Sequence, residues 1–154
     1  MLRNRDMQMK MLLAAIVAAA SAIALPAAAQ SADEVHSRIE ALHGDADGFA
    51  DAFELLTQAM KFGDPATVAG FGAYPLRVEA NGEVYDVLEE QDLADNFDRL
   101  VMHETQASIA DRDYADLFVN SDGVMFADGA LWMALVCEDD SCTSSRWAIT
   151  AINN

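Results

Sequence analysis

Two cysteines, each beside a run of β-branched and aromatic residues, constrain the last part of the chain most strongly. Cys137 and Cys142 are separated by four residues, and residues 130–136 and 143–152 on either side have the composition of β-strands. A four-residue loop would place the two Cβ atoms opposite each other, within disulfide distance. No further Cys or His lies nearby to complete a zinc site. The sequence therefore predicts a β-hairpin closed by a Cys137–Cys142 disulfide.

Counting back from the paired cysteines predicts the register of this hairpin. Trp132 would lie opposite Trp147 on one face, and Met133 opposite Arg146 on the other. The loop that the disulfide closes is short, so we expect it to add about 2 kcal/mol at most to the free energy of unfolding.

The first 29 residues have the pattern of an export signal. Three basic residues lie in the first ten, an uncharged apolar stretch covers residues 11–25, and Ala27–Ala29 supply small side chains. This arrangement is typical of a bacterial signal peptide, so we predict residues 1–29 to be removed before Gln30 and the protein to be periplasmic or secreted. An uncleaved anchor is the alternative, but the stretch is mostly alanine and is interrupted by Pro26. We expect no stable membrane association after cleavage.

Acidic charge is concentrated after the export segment. Of the 26 acidic residues 25 follow residue 29, with six of the nine Lys and Arg; six minus 25 gives a formal charge of −19 for residues 30–154, against −17 for the whole chain. This charge excludes a nucleic-acid partner and favours a basic protein partner. The densest clusters, Glu89–Asp92 and Glu138–Asp140, are candidate docking sites for such a partner. A role in solubility alone is the simpler alternative.

The order of hydrophobic patterns, with helices early and antiparallel strands late, predicts one α+β domain over residues 30–154. Helices are predicted from Ser31 to Gly44, from Phe49 to Met60, from Asp64, from Glu90 to Met102 and over Glu104–Ala110. Strands are predicted over residues 73–80 and 84–87, joined by an Asn-Gly turn, and over 117–119, 124–126 and the disulfide hairpin.

Several strings of the chain resemble a group of small exported bacterial proteins. They are Tyr74–Val78, Tyr114–Asn120, Gly123–Met125, Gly129–Trp132 and Ile149–Asn153. The resemblance covers roughly residues 50–153. It implies a cystatin/nuclear transport factor 2-like cone, in which N-terminal helices are packed on a strongly bent antiparallel sheet. That superfamily includes ketosteroid-isomerase-like enzymes, dehydratases and non-catalytic binding modules, so the resemblance does not select an activity. No catalytic motif of an enzyme branch matches residue by residue.

A cone of this kind would enclose a ligand pocket. Its candidate lining residues are Tyr74, His103, Tyr114, Trp132 and Trp147. We expect non-catalytic binding of a small apolar ligand or of a protein partner, with no cofactor. The alternative is a small isomerase or lyase that uses His103 or a carboxylate such as Asp86 as its acid–base group. The simpler interpretation is that the aromatic residues form the core and that His103 lies at a helix end where a cation is favoured.

The segment from His43 to Glu54 partly matches a calcium-binding loop. Its candidate ligands are Asp45, Asp47, Asp51 and Glu54, and Gly48 provides the bend that such a loop needs. His43 stands where an Asp is expected, however, and no second loop accompanies this one. The alternative is that Gly44 ends one helix and that Asp45 or Asp47 caps the next.

Overall fold

The first helix begins at the capping box that the sequence predicts. In the computed structural model, which describes residues 29–154, the Ser31 side chain accepts a hydrogen bond from the Glu34 backbone N–H (3.2 Å). The Glu34 carboxylate accepts one from the Ser31 backbone N–H (2.7 Å), so two N–H groups at the helix start are satisfied. The predicted signal peptide lies outside the described residues, except for Ala29.

Six α-helices occur in the described residues, and the first three end or begin close to the residues that the sequence predicts. Gly44 and Gly63 end the first two with left-handed φ angles of 76° and 63°. The Asp64 side chain begins the third by accepting a hydrogen bond from the Thr67 backbone N–H (3.2 Å). The helices are α1 (Ala32–His43), α2 (Ala46–Phe62), α3 (Pro65–Gly70), α4 (Glu90–Asp95), α5 (Phe97–Leu100) and α6 (His103–Ala110).

The single helix predicted from Glu90 to Met102 is in fact two short helices. They meet at Asn96, whose φ of −113° and ψ of 20° are not helical. The Asn96 side chain donates to the Asp92 carbonyl (2.9 Å), the acceptor that its own backbone N–H would use in a continuous helix. The apolar positions are nevertheless buried as predicted. They are Leu93, Phe97, Leu100 and Val101.

Six strands form one open sheet, so the predicted α+β class is confirmed. The strands are β1 (Gly72–Ala80), β2 (Glu83–Val87), β3 (Phe118–Asn120), β4 (Gly123–Phe126), β5 (Leu131–Cys137) and β6 (Ser145–Asn153). Their spatial order is β2-β1-β6-β5-β4-β3. Short 3₁₀ turns precede β3 and β5, at Tyr114–Asp116 and Ala127–Gly129.

One pairing is parallel, which corrects the expected all-antiparallel sheet. β1 and β6 run parallel, with Arg77 opposite Ala151 and Val78 opposite Ile152, whereas the other four neighbouring pairs are antiparallel. Parallel neighbours require a long connection. Here the chain passes through β2, three helices and three further strands before β6 returns to β1. Local sequence patterns carry no signal for a pairing between segments so far apart.

The Cys137–Cys142 disulfide is present, with a Cα–Cα distance of 4.8 Å, but the predicted register of its hairpin is wrong. Trp147 lies opposite Leu135 instead of Trp132. The difference arises because Cys142 belongs to the loop, with a left-handed φ of 53°, and not to β6. A shift by an odd number of residues changes the face on which a side chain lies. Trp147 therefore faces the helices, and Trp132 lies on the opposite face of the sheet.

A β-bulge in β6 changes the register of the same hairpin a second time. The first shift already places Met133 opposite Ile149 instead of Arg146. The next residue of β6, Thr150, has no partner in β5, so Trp132 lies opposite Ala151. The bulge allows Ile149 and Ile152, which are three positions apart, to be fully buried together.

The core lies between the helices and one face of the sheet. Its largest fully buried side chains are Phe49, Phe126, Ile39, Leu56, Leu76, Leu93, Ile109, Leu117, Leu131, Met133, Ile149 and Ile152. Apart from Leu117, which lies just before β3, they come from α1, α2, α4 and α6 on one side and from β1, β4, β5 and β6 on the other. Both the early helices and the late strands are therefore needed to form a single core.

Gly123 begins β4 at a point where the chain passes close to β5. Its φ is +144°, and a Cβ atom there would lie 2.1 Å from the Met133 carbonyl oxygen. We predict that Gly123→Ala lowers the free energy of unfolding by about 2–4 kcal/mol, because the backbone of β5 would have to move. Gly82→Ala is the matched control: φ is +76° but no atom lies within 4 Å, so a cost of about 1 kcal/mol is expected. Urea unfolding compares the two, and equal losses would contradict the close approach.

Candidate functional site

The interior that was expected to hold a ligand pocket is filled by aromatic side chains. Phe49 of α2 is fully buried at its centre, and its ring centroid lies 4.9 Å from that of Trp147 and 6.2 Å from that of Phe126. Phe53, one turn later, lies 5.2 Å from Tyr114 and 5.8 Å from Phe126. These are the separations of packed aromatic pairs. We call these five residues the aromatic cluster.

Two polar contacts connect the aromatic cluster to the ends of α1 and α2. The Trp147 indole N–H donates to the Asp45 carbonyl (2.9 Å), which gives the buried indole the partner it needs. The His43 Nε2 atom lies 2.9 Å from the Asn120 carbonyl oxygen, and its ring meets the Trp147 ring edge-on at 5.3 Å. His43, which the sequence placed at the first position of a calcium loop, is thus part of the packing around Trp147.

The two tyrosines predicted to line a pocket are partly buried, and burial is the main cause of a raised pKa in each. The Tyr74 hydroxyl donates to the Ala69 carbonyl (2.8 Å), and burial followed by the nearby Glu90 carboxylate raises the Tyr74 pKa to about 12. Burial, with a smaller effect of Asp47, also raises the pKa of Tyr114. Both phenols therefore remain protonated at neutral pH, where neither can act as a general base.

The structure does not bring the five predicted pocket residues together. Tyr114 and Trp147 belong to the aromatic cluster, whereas Trp132 lies on the opposite face of the sheet. His103 is exposed and is the first residue of α6, at the helix end where the dipole disfavours a cation. The expectation that His103 lies at a favourable helix end is therefore wrong.

Within residues 29–154, the buried polar side chains are Thr105 and Gln106, and neither is ionisable. The carboxylates whose charges reach the two tyrosines, Glu90, Asp92 and Asp47, are exposed, and so is Asp86. Proton-transfer catalysis in an enclosed site relies on an ionisable group whose pKa the surroundings have shifted. The buried polar side chains of the described residues therefore include no carboxylate or histidine.

The four carboxylates predicted to bind calcium do not converge. Asp45 is the N-cap of α2, where its side chain accepts a hydrogen bond from the Gly48 N–H (3.2 Å). Asp47, Asp51 and Glu54 follow along the exposed side of α2 and span about 10 Å at the rise of a helix. No three acidic, His or Cys side chains of the described residues are grouped to hold a metal ion. The segment forms a capped helix in place of the expected calcium loop.

The acidic loop between the cysteines is organised by Asp139. Its carboxylate accepts hydrogen bonds from the backbone N–H groups of Ser141 (2.9 Å), Thr143 (3.1 Å) and Ser144 (3.0 Å). Hydrogen bonds from Thr143, above all that from its hydroxyl, lower the Asp139 pKa to about 2. The neighbouring Glu138 accepts a hydrogen bond from the Ser144 hydroxyl. Two members of this acidic cluster therefore hold the loop in shape.

The face of the sheet that lies away from the helices carries an apolar row, which the sequence did not predict. Phe118 lies opposite Met125, Met125 opposite Trp132, and Trp132 opposite Ala151, so the row crosses four neighbouring strands. Phe118 is 49% exposed, and the other three side chains are partly exposed. We call these four residues the outer sheet row. Open antiparallel sheets usually place polar residues on the solvent side, so this row is a candidate recognition surface.

Comparisons with known proteins identify no relative: no protein-family model, curated protein or solved structure matches the chain. A separate property concerns membranes. Among the helices of residues 29–154, none has both the length and the apolar character needed to cross a bilayer.

Substitution of Phe49 tests whether the aromatic cluster fills the interior. We predict that Phe49→Ala lowers the free energy of unfolding by about 3–5 kcal/mol, because it removes a fully buried ring and leaves a cavity. Phe62→Ala is the matched control, since that ring lies at the other end of α2 and is 77% exposed; its cost should stay within about 0.5 kcal/mol. Denaturant unfolding measures both values. A loss below about 1 kcal/mol for Phe49→Ala would indicate an interior that is already open.

Proposed function

We propose that residues 30–154 form an exported, non-catalytic binding domain whose partner is a basic protein. The single observation that carries the proposal is the filled interior: Phe49 and Phe126 are fully buried where a ligand pocket was expected. Recognition then takes place on the surface, and that surface belongs to a segment with a formal charge of −19 (six Lys and Arg, 25 Asp and Glu). Such a charge speeds the approach of basic proteins and repels acidic ones.

Export is part of the proposal and has two kinds of support. The first 29 residues have the signal-peptide pattern, and the disulfide suits an oxidising compartment. A cut before Gln30 would also leave the contacts of the first residues intact. The Gln30 side-chain amide donates to the Ala115 (2.8 Å) and Leu117 (2.9 Å) carbonyls, and the capping box begins at Ser31.

Membership of the nuclear transport factor 2-like superfamily remains a proposal. It is supported by three helices before the first strand, by the helical connection between β2 and β3, and by a single sheet whose helices cover one face. The superfamily includes both enzymes and binding modules. The aromatic cluster, together with the exposure of His103 and Asp86, favours a binding module over an isomerase or lyase.

The test is native mass spectrometry of the protein isolated from the exported fraction of its own cells. We expect the mass of residues 30–154 with one disulfide, in a complex with a basic protein that dissociates as salt is raised to about 0.15 M and beyond. An unrelated acidic protein of similar charge is the control, because it identifies basic proteins that are retained by charge alone. A small apolar molecule bound in place of a protein, or no specific basic partner, would contradict the proposal.

A further inference from the structure

We propose that the outer sheet row is the docking site for the basic partner, and that it receives an apolar segment of that partner flanked by Lys or Arg. This inference rests on the proposed function and adds the surface and the chemistry of the contact. The row, Phe118, Met125, Trp132 and Ala151, contains no charged residue. It therefore differs in character from the rest of this acidic domain.

The pairing register makes the row a continuous surface. Residues directly opposite each other on neighbouring strands have Cβ atoms about 5 Å apart. The four side chains therefore form a band across β3, β4, β5 and β6. Ala134 and Val136 lie on the same side of β5 as Trp132 and widen the band, and both are partly exposed. An aromatic and aliphatic band of this kind, with Trp at its centre, matches the composition of protein-binding hot spots.

Acidic residues border the band on several sides. They are Asp122 between β3 and β4, Asp128 between β4 and β5, Glu138 and Asp140 between β5 and β6, and Glu79 and Asp86 on β1 and β2. All six are exposed. An apolar centre inside a charged border is the usual arrangement of a protein interface. Two arginines also lie beside the band: Arg77 opposite Ala151, and Arg146 opposite Val136, where it lies 3.8 Å from the Glu138 carboxylate. The acidic residues outnumber them, so the border is complementary to a partner with basic residues around an apolar segment.

The charge also distinguishes this partner from a second copy of the chain. Two domains with formal charges of −19 repel each other, whereas a basic partner gains attraction from the same residues. The two occupants respond oppositely to salt. Screening weakens the contact with a basic partner, and it strengthens apolar self-association by reducing the repulsion.

The experiment uses two synthetic peptides and the full mature domain. One peptide has a Trp-Leu-Trp centre flanked by lysines, and the other has a Ser-Gly-Ser centre with the same lysines. We expect the Trp-Leu-Trp peptide to bind more tightly than its control, with an affinity that falls as salt rises. Trp132→Thr and Phe118→Thr should each weaken that binding by about tenfold or more, because both remove an aromatic contact at the centre or edge of the row.

Phe62→Thr is the matched control variant, since Phe62 is a more exposed aromatic residue on α2 and lies outside the row. It should leave the affinity within about twofold of the unchanged domain. Phe118→Thr keeps the test valid if Trp132→Thr fails to fold. Phe118 is at the edge of the sheet and is half exposed, so its substitution should leave the fold intact. Thermal unfolding confirms that each variant is folded.

Three results would overturn the docking proposal. Unchanged binding of the Trp-Leu-Trp peptide to the Trp132→Thr and Phe118→Thr variants would mean that charge alone holds the peptide. That result would leave the proposed function in place. A dimer in sedimentation velocity that Trp132→Thr abolishes would mean that a second copy covers the row. Failure of both peptides to bind would remove the basic partner itself, and with it the proposed function.

Discussion

The packing of Phe49 against the sheet is the contact on which the rest of the structure depends. Its ring lies against Trp147 of β6 and Phe126 of β4, so one residue of α2 connects the helices to two different strands of the sheet. Trp147 in turn donates to the Asp45 carbonyl, which fixes the start of α2. Because the same rings fill the space between helices and sheet, the contact that stabilises the fold also occupies the volume where a ligand pocket was expected.

The two faces of the sheet therefore have different roles: one packs in the core and stabilises the fold, and the other carries the proposed recognition surface. The helix-covered face of the sheet holds the core, and the opposite face holds the outer sheet row, Phe118, Met125, Trp132 and Ala151. The two tryptophans illustrate the separation, since Trp147 is buried in the core and Trp132 is partly exposed on the other side. The bulge at Thr150 helps to maintain it, because it keeps Ile149 and Ile152 on the core side.

Local features of this fold could be predicted from the sequence, and long-range ones could not. The capping box at Ser31, the glycine helix ends and the Cys137–Cys142 disulfide depend on residues close in the chain, and all are present. The parallel pairing of β1 with β6 depends on distant segments. The hairpin register failed because a disulfide fixes the distance between two cysteines without requiring both to lie in strands. That error placed Trp132 and Trp147 in one pocket and concealed the outer sheet row.

The most direct test of the separation uses the two indole N–H signals in an NMR spectrum of the mature domain, one from each tryptophan. Titration with the lysine-flanked Trp-Leu-Trp peptide should shift the Trp132 indole signal. The Trp147 signal should stay in place, because its N–H is held by the Asp45 carbonyl inside the core. A shift of Trp147 with no change at Trp132 would contradict the account, since it would show that the ligand enters the interior and leaves the outer face free.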